Sequence, residues 1–136
     1  MAEENYKHSE ITELIIKAFY KVYNTLGYGF LEKVYENAML IELNKMGLNA
    51  VAQPPVKVFY EGEQVGVYFA DILVENKVML ELKTADGIAA ENEAQLINYL
   101  KATDIEIGLV LNFGKKPQFK KKAFSNEFKE SKDLPE

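Results

Sequence analysis

The stretch from Asp71 to Lys83, DILVENKVMLELK, limits the fold of this chain more than any other. It reads as two short strands joined by a tight turn, with an acid on the first strand and an acid and a lysine on the second. Strand alternation sets Lys77, Met79, Glu81 and Lys83 on one face and Val78, Leu80, Leu82 and Thr84 on the other. Charges beside an otherwise apolar strand are costly unless a partner or ligand compensates them. Turn length decides what they do. A two-residue turn at Glu75 and Asn76 would send Asp71 and Glu81 to opposite faces. A three-residue loop (Glu75 to Lys77), or one bulge, pairs Val74 with Val78 and sets Asp71 across from Glu81. Two carboxylates and an ammonium then converge, as a divalent-metal hydrolytic site requires.

The rest of the chain narrows the chemistry. At 136 residues it predicts a single domain spanning 1–136, with 1–8 and 128–136 as flexible tails. Hydrophobic residues make up 48% and charged residues 27%, the balance of a globular chain. There is no cysteine, which excludes thiolate zinc sites, cysteine nucleophiles and disulfides. The single histidine, His8, lies in a polar N-terminal segment, which speaks against serine–histidine catalysis and multi-histidine metal sites. A metal held here must be held by oxygen, which favours Mg²⁺ or Mn²⁺. The N-terminus lacks a basic start and apolar run, and no stretch approaches a membrane span, so a cytoplasmic protein without membrane contact is expected. The net charge of -5 argues against a simple basic nucleic-acid binder. It is compatible with a nucleic-acid enzyme, whose clustered carboxylates add negative charge that bound metal neutralises.

Hydrophobic periodicity predicts a first helix capped by Ser9, with Ile11, Leu14, Ile15, Ala18, Phe19, Val22 and Leu26 on its buried side. Gly27 and Gly29 break it. A second helix is expected from about Leu31 to Met46, ending at Gly47. Beyond Pro54 and Pro55, strand-like runs cover Val56 to Tyr60, Val65 to Val74 and Val78 to Thr84. A helix from about Ala89 to Ala102 follows, then a central strand from Ile105 to Phe113 and an edge strand from Phe119 to Phe124. This order predicts an α/β (α+β) fold, a mixed β-sheet flanked by helices. The helix after Thr84 serves as the crossover to a parallel strand.

Asp71, Glu81 and the Leu82 carbonyl could form half of an oxygen coordination shell, with Lys83 orienting or deprotonating water. An ordinary cross-strand salt bridge on a solvent-facing hairpin would use the same residues. A helix, a β-meander carrying D…ExK, a helix and a strand resemble the common core of the PD-(D/E)XK nucleases, a restriction-endonuclease-like fold. Gly29-Phe30-Leu31-Glu32-Lys33-Val34-Tyr35 reads G-x-x-E-x-x-Y. Together these motifs resemble the GxxExxY family, a small branch of that superfamily, over nearly the whole chain.

The resemblance implies a metal-dependent nuclease hydrolysing phosphodiester bonds in nucleic acid, DNA foremost, with a homodimer as one arrangement. It gives Glu32 the role of an additional metal ligand and lets Tyr35, one turn on, orient Glu32 or meet substrate. A helix-start acid at the dipole and a core tyrosine are the plainer readings. Gln95 and Tyr99 share a helix face at i and i+4, like the Q-x-x-x-Y pair of exonuclease-like members, where they would hold phosphate. A surface glutamine and a sheet-packed tyrosine would look the same. The chain has Ala70 where the superfamily carries proline, and Asn92 three residues before Gln95. Lys115, Lys116, Lys120, Lys121 and Lys122, interleaved with Phe119 and Phe124, could grip phosphates or guard an edge strand. The alternative function is a nucleic-acid-binding or regulatory module that keeps the fold without cutting. A third is a hydrolase of smaller phosphate esters.

Overall fold

The computed structural model describes residues 7–129. Helix α1 (Ser9–Leu26) and helix α2 (Glu32–Lys45) come first. Then follow β1 (Ala50–Ala52), β2 (Pro55–Tyr60), β3 (Glu63–Phe69), β4 (Ile72–Val74) and β5 (Val78–Lys83). Helix α3 (Ala90–Lys101), β6 (Ile107–Phe113), β7 (Pro117–Ala123) and a 3-10 turn (Asn126–Phe128) complete the order. Five strands form the main sheet in the order β1-β4-β5-β6-β7, with β5 and β6 parallel and every other pair antiparallel. The mixed α/β sheet flanked by helices is therefore as expected.

Alternation on β5 explains how the layers form. Val78, Leu80 and Leu82 turn towards α1 and α2, where they pack with Phe19, Tyr35, Met39 and the odd-numbered residues of β6. Met79 turns the other way, into a second cluster with Val110 and the α3 residues Leu96, Tyr99 and Leu100. Both faces of β5 are thus covered, which suits a strand in the interior of a mixed sheet. Glu81 shares the α3 face with Met79, so its carboxylate is carried into a buried layer by the register of its own strand.

The run from Val65 to Val74 is not one strand. Residues 50–60 and 63–74 form one long hairpin whose pairing, Ala50↔Val74 through Val58↔Gly66, keeps a single register. It is interrupted where Gln53 and Pro54 face Ala70 and Asp71. Gln53 sits in the left-handed region (φ 54°) and Pro54 has no N–H to give a ladder. The inner part, β1 and β4, stays in the main sheet. The outer part, β2 and β3, leaves it as a separate two-stranded ribbon.

Several expected boundaries shift. Helix α1 begins at Ser9 itself, after a left-handed His8, and no side chain caps it. The last strand starts two residues earlier than expected, at Pro117. Of the two expected flexible tails, 1–6 and 130–136 lie outside the described residues. Phe128, however, closes the 3-10 turn, and Lys129 Nζ donates to the Thr103 and Ile105 carbonyls at 2.8 Å each. That end of the described chain is tied to the body.

Candidate active site

The β4–β5 turn decides the geometry. Val74 pairs with Val78, so Glu75, Asn76 and Lys77 form a three-residue loop, with Glu75 and Asn76 both left-handed (φ 54° and 55°). Lys77 N–H closes it on the Val74 carbonyl at 2.9 Å. Extending the register one step beyond Ile72↔Leu80 sets Asp71 opposite Glu81. The two side chains add to the backbone bonds already present here, from Asp71 N–H to the Leu80 carbonyl at 3.3 Å and from Gln53 N–H to the Asp71 carbonyl at 2.9 Å. Asp71 N–H donates to Glu81 Oε2 at 3.2 Å, and Leu82 N–H donates to Asp71 Oδ2 at 2.6 Å. A strand residue's N–H and C=O point to the same side. The Leu82 carbonyl is therefore directed to the edge where Asp71 stands.

Burial sets the electrostatics. Glu81 is only 5% exposed, and its carboxyl is pushed up to about 8 by burial first, then by the neighbouring Asp71. Lys83 and the Asp71 N–H oppose this without cancelling it. The Asp71 carboxyl is also raised, by burial first, against the pull of the Leu82 N–H, with Glu36 and Glu32 adding to the rise. Among the described residues neither carboxylate has an ion-pair partner within 4.0 Å. Two half-compensated acids at one spot, with a backbone carbonyl beside them, form a donor set that suits a hard divalent cation.

The other expected residues separate into groups. Lys83 is half-buried at the end of β5, on the Glu81 face. Gln95 Nε2 donates to Tyr99 Oη at 3.1 Å. The Tyr99 hydroxyl is raised by burial and then by Glu81, Tyr68 and Asp71, so this pair borders the carboxylates. Glu32 is exposed at the start of α2 and acts on Asp71 and Glu81 only through its charge. No cluster of three acidic or histidine side chains able to hold a metal exists among the described residues. The structure brings Asp71 and Glu81 together and leaves Glu32 outside.

Tyr35 is turned into the core, away from solvent. Its ring is fully buried and stacks on Phe113 with centroids 4.3 Å apart. Its hydroxyl donates to the Gly27 carbonyl at 2.6 Å and accepts from Phe30 N–H at 3.3 Å. The tyrosine fastens the α1–α2 loop to the core, and the physical reason is helix phase: position 35 falls on the core side of α2, with Met39 and Leu43.

Two residues that the sequence reading passed over belong to this neighbourhood. Glu36 is 5% exposed, with both its oxygens receiving Gln53 Nε2 at 3.1 and 3.2 Å and one receiving Lys33 Nζ at 3.2 Å. It lies at i+4 from Glu32, a spacing that was readable. Asn112, fully buried on β6, pairs in register with Lys83. Its amide exchanges two 2.9 Å hydrogen bonds with the backbone of Ala85, fixing the chain just after Lys83. Nothing local in the sequence signals that pairing.

Of the lysine-rich segment, Lys120, Lys121 and Lys122 lie on edge strand β7, which among the described strands pairs with β6 alone, and Lys115 and Lys116 lie in the turn before it. Lys120 lies opposite Val110, itself opposite Glu81, so Lys120 shares the face of the site two strands away. Lys122 is engaged by Glu93 at 2.5 Å.

A family model described as the PD-(D/E)XK nuclease superfamily matches residues 9–123. The chain belongs to this superfamily. Nuclease-family membership agrees with where the D…ExK residues Asp71, Glu81 and Lys83 fall, at the end of the β4–β5 hairpin. No curated protein matches the sequence. Among solved structures, SSO0001 is similar with a TM-score of 0.54 and 19% sequence identity over 89% of this chain, a likeness of fold. The matched region spans 60% of that protein's length. No described helix is long and apolar enough to cross a membrane.

Proposed function

We propose that this member of the PD-(D/E)XK superfamily is a metal-dependent nuclease of the GxxExxY branch that hydrolyses phosphodiester bonds in DNA. The observation that carries the reading is the juxtaposition of the half-buried Asp71 and the buried Glu81, with the Asp71 N–H on Glu81 Oε2, the Leu82 N–H on Asp71 Oδ2, and Lys83 on the same strand as Glu81. Two acids crowded into a partly buried place without an ion-pair partner are costly for a fold that only needs to be stable. They are well suited to binding a cation.

Asp71, Glu81 and the Leu82 carbonyl would hold Mg²⁺ or Mn²⁺. When bound, such an ion supplies Lewis-acid polarisation and makes a water nucleophilic near neutral pH. Lys83 orients the attacking water, or takes its proton, from the Glu81 face of β5. Asn112 steadies Lys83 by pinning Ala85. Gln95, whose amide already donates on this side of α3, turns a donor to a phosphate oxygen, and Tyr99 holds Gln95 in place. Glu36, tied by Gln53 and Lys33, adds fixed negative charge behind Asp71. Glu32 stands at the exposed rim, where it adds charge that favours a cation.

Cleavage of linear and circular DNA with Mg²⁺ and with Mn²⁺ tests the reading on the wild type, Glu81→Ala and Lys83→Ala. Losing a positioned acid–base group costs about 10²–10⁴-fold, so Lys83→Ala should fall in that range, and Glu81→Ala, which removes a metal donor, should lose metal-dependent cleavage as well. Equal rates in all three proteins would overturn the mechanism. Salt-dependent DNA binding with no cleavage in either metal would instead favour the non-cleaving module.

A further inference from the structure

A groove of about 880 Å³ runs between the β2–β3 ribbon on one side and α3 with the C-terminal 3-10 turn on the other. Its volume lies in the range of about 300–1,000 Å³ typical of small-ligand pockets. Tyr68, from the ribbon, and Phe59 and Phe128 supply aromatic surface, while Gln95 and Asn98 supply amides and Lys101 a cation. Tyr68 is 52% exposed and Phe128 68% exposed, so both rings offer free faces. The groove meets the candidate active site at Gln95 and Tyr99, which line it, while Asp71, Glu81 and Lys83 do not. The Tyr99 ring lies 5.8 Å from Tyr68, and its hydroxyl receives Gln95 and feels the charges of Glu81 and Asp71.

We propose that this groove stacks unpaired nucleobases of the strand being cut, so that the substrate is nucleic acid with single-stranded character, such as an overhang, flap or free strand. The proposal rests on the nuclease reading and specifies its substrate. A duplex keeps its base faces stacked inside and offers only edges and phosphates, which aromatic walls cannot use. Duplex grip comes mainly from lysine and arginine on phosphates. This groove is poor in such charge: Glu91 lines it together with Lys101 and Lys129, and the whole chain carries -5. Lys129 is also committed to the Thr103 and Ile105 carbonyls. Aromatic faces on which bases stack, beside a cation for the backbone such as Lys101, are instead the makeup of single-strand platforms, where stacking adds affinity that a duplex cannot draw on. The Asn98 amide can meet a base edge once a base lies on Tyr68, while Gln95 serves the phosphate. The ribbon bend at Gln53 and Pro54, beside Asp71, carries Tyr68 over α3, where it meets Tyr99.

The test is equilibrium binding by the full chain in EDTA at pH 7, with oligonucleotides carrying the fluorescent base 2-aminopurine. A single strand should bind at least tenfold tighter than a blunt duplex of equal length, and the probe's emission should change as it stacks. Stacking worth about 1–3 kcal/mol per base corresponds to about 5- to 150-fold in Kd. Tyr68→Ala and Phe128→Ala, both at exposed positions, should each weaken single-strand binding within that range, while Tyr68→Phe retains it. A strand with abasic positions, which keeps its phosphates, should bind wild type as weakly as the unmodified strand binds Tyr68→Ala. Equal affinity for strand and duplex, or alanine variants that bind like wild type, would overturn the proposal. Mononucleotides binding as tightly as the strand would also overturn it, in favour of a small phosphate ester. Because binding is read without metal, the two readings fail separately. Stacking without cleavage in Mg²⁺ sinks the nuclease and keeps the groove. Cleavage lost in Glu81→Ala but untouched in Tyr68→Ala does the reverse.

Discussion

Asp71 and Glu81 face each other at the open end of the β4–β5 hairpin, with the Asp71 N–H donating to Glu81 Oε2 at 3.2 Å. The contact ties one acid's backbone to the other acid's side chain, so neither carboxylate can leave without breaking the end of the ladder. Two carboxylates in one partly buried place cannot both ionise cheaply, and the pair settles the conflict by retaining a proton on the Glu81 side. A cation bound as proposed above would take the place of that proton.

Stability should report that proton. Glu81 is raised from its ordinary 4.5 to about 8, so between these limits the folded chain holds a proton that the unfolded chain has released. Unfolding free energy from this group is then greatest below pH 4.5 and falls as pH rises to about 8, after which it is level. Glu81→Gln keeps the acceptor for Asp71 N–H and removes the titration. In EDTA, the melting temperature of Glu81→Gln minus that of wild type should grow from pH 5 to pH 8 and stay flat beyond. A difference independent of pH would show that Glu81 is ionised throughout.

Metal affinity should run the opposite way. A divalent ion needs ionised carboxylates, so its binding below pH 8 expels the shared proton. With one proton released, the apparent affinity for Mn²⁺ should rise about tenfold per pH unit between pH 6 and 8 and then level. Calorimetric titration in buffers of different ionisation enthalpy counts the proton directly. Binding that is insensitive to pH across this window would mean that the ion does not engage Glu81.

How much of this was legible in the sequence depends on how local the cause is. Strand alternation gave the faces of β5, and the requirement that Asp71 meet Glu81 pointed to a three-residue loop or one bulge, of which the structure has the loop. Both are properties of neighbouring residues, and both appear in the pairing of Val74 with Val78. The break between β3 and β4 was hidden because its cause lies on the partner strand, in Gln53 and Pro54, while Val65–Val74 itself reads as uninterrupted. Asn112 was hidden for the same reason: its partner is 27 residues away. Tyr35 illustrates a different limit. Spacing put it on the side of Glu32, but a three-residue step is about 300° of helix rotation, enough to turn one side chain to the rim and the other into the core.

Tyr35→Phe separates a structural tyrosine from a substrate-binding one. The variant keeps the ring stacked on Phe113 but loses the 2.6 Å bond to Gly27 and leaves the Phe30 N–H without its acceptor. Losing a buried hydrogen-bond partner costs about 1–3 kcal/mol, so the urea midpoint should fall accordingly. Activity per folded molecule, with its KM, should stay near wild type. A normal midpoint with a raised KM would assign the hydroxyl to substrate after all.

The chain just beyond Lys83 gives the sharpest steric prediction. Gly114 packs so closely that a Cβ there would lie 2.2 Å from the Ala85 carbonyl oxygen, the same atom that receives the Asn112 amide at 2.9 Å. A backbone oxygen cannot yield as a flexible side chain does, so Gly114→Ala must move residues 84–86 or the β6–β7 turn. Asn112→Ala instead leaves the Ala85 N–H and C=O without their partners, at about 1–3 kcal/mol. Both variants reach the same segment by unrelated routes, one by pushing and one by letting go. If Ala85 serves only stability, each should lower the melting temperature and leave kcat of the folded fraction unchanged. If it positions Lys83, both should lower kcat by about tenfold or more, with little change in KM, since the loss would fall on an interaction made in the transition state. The second outcome is expected, because Asn112 is paired in register with Lys83 itself. A kcat equal to wild type in both variants would place the water-orienting group elsewhere.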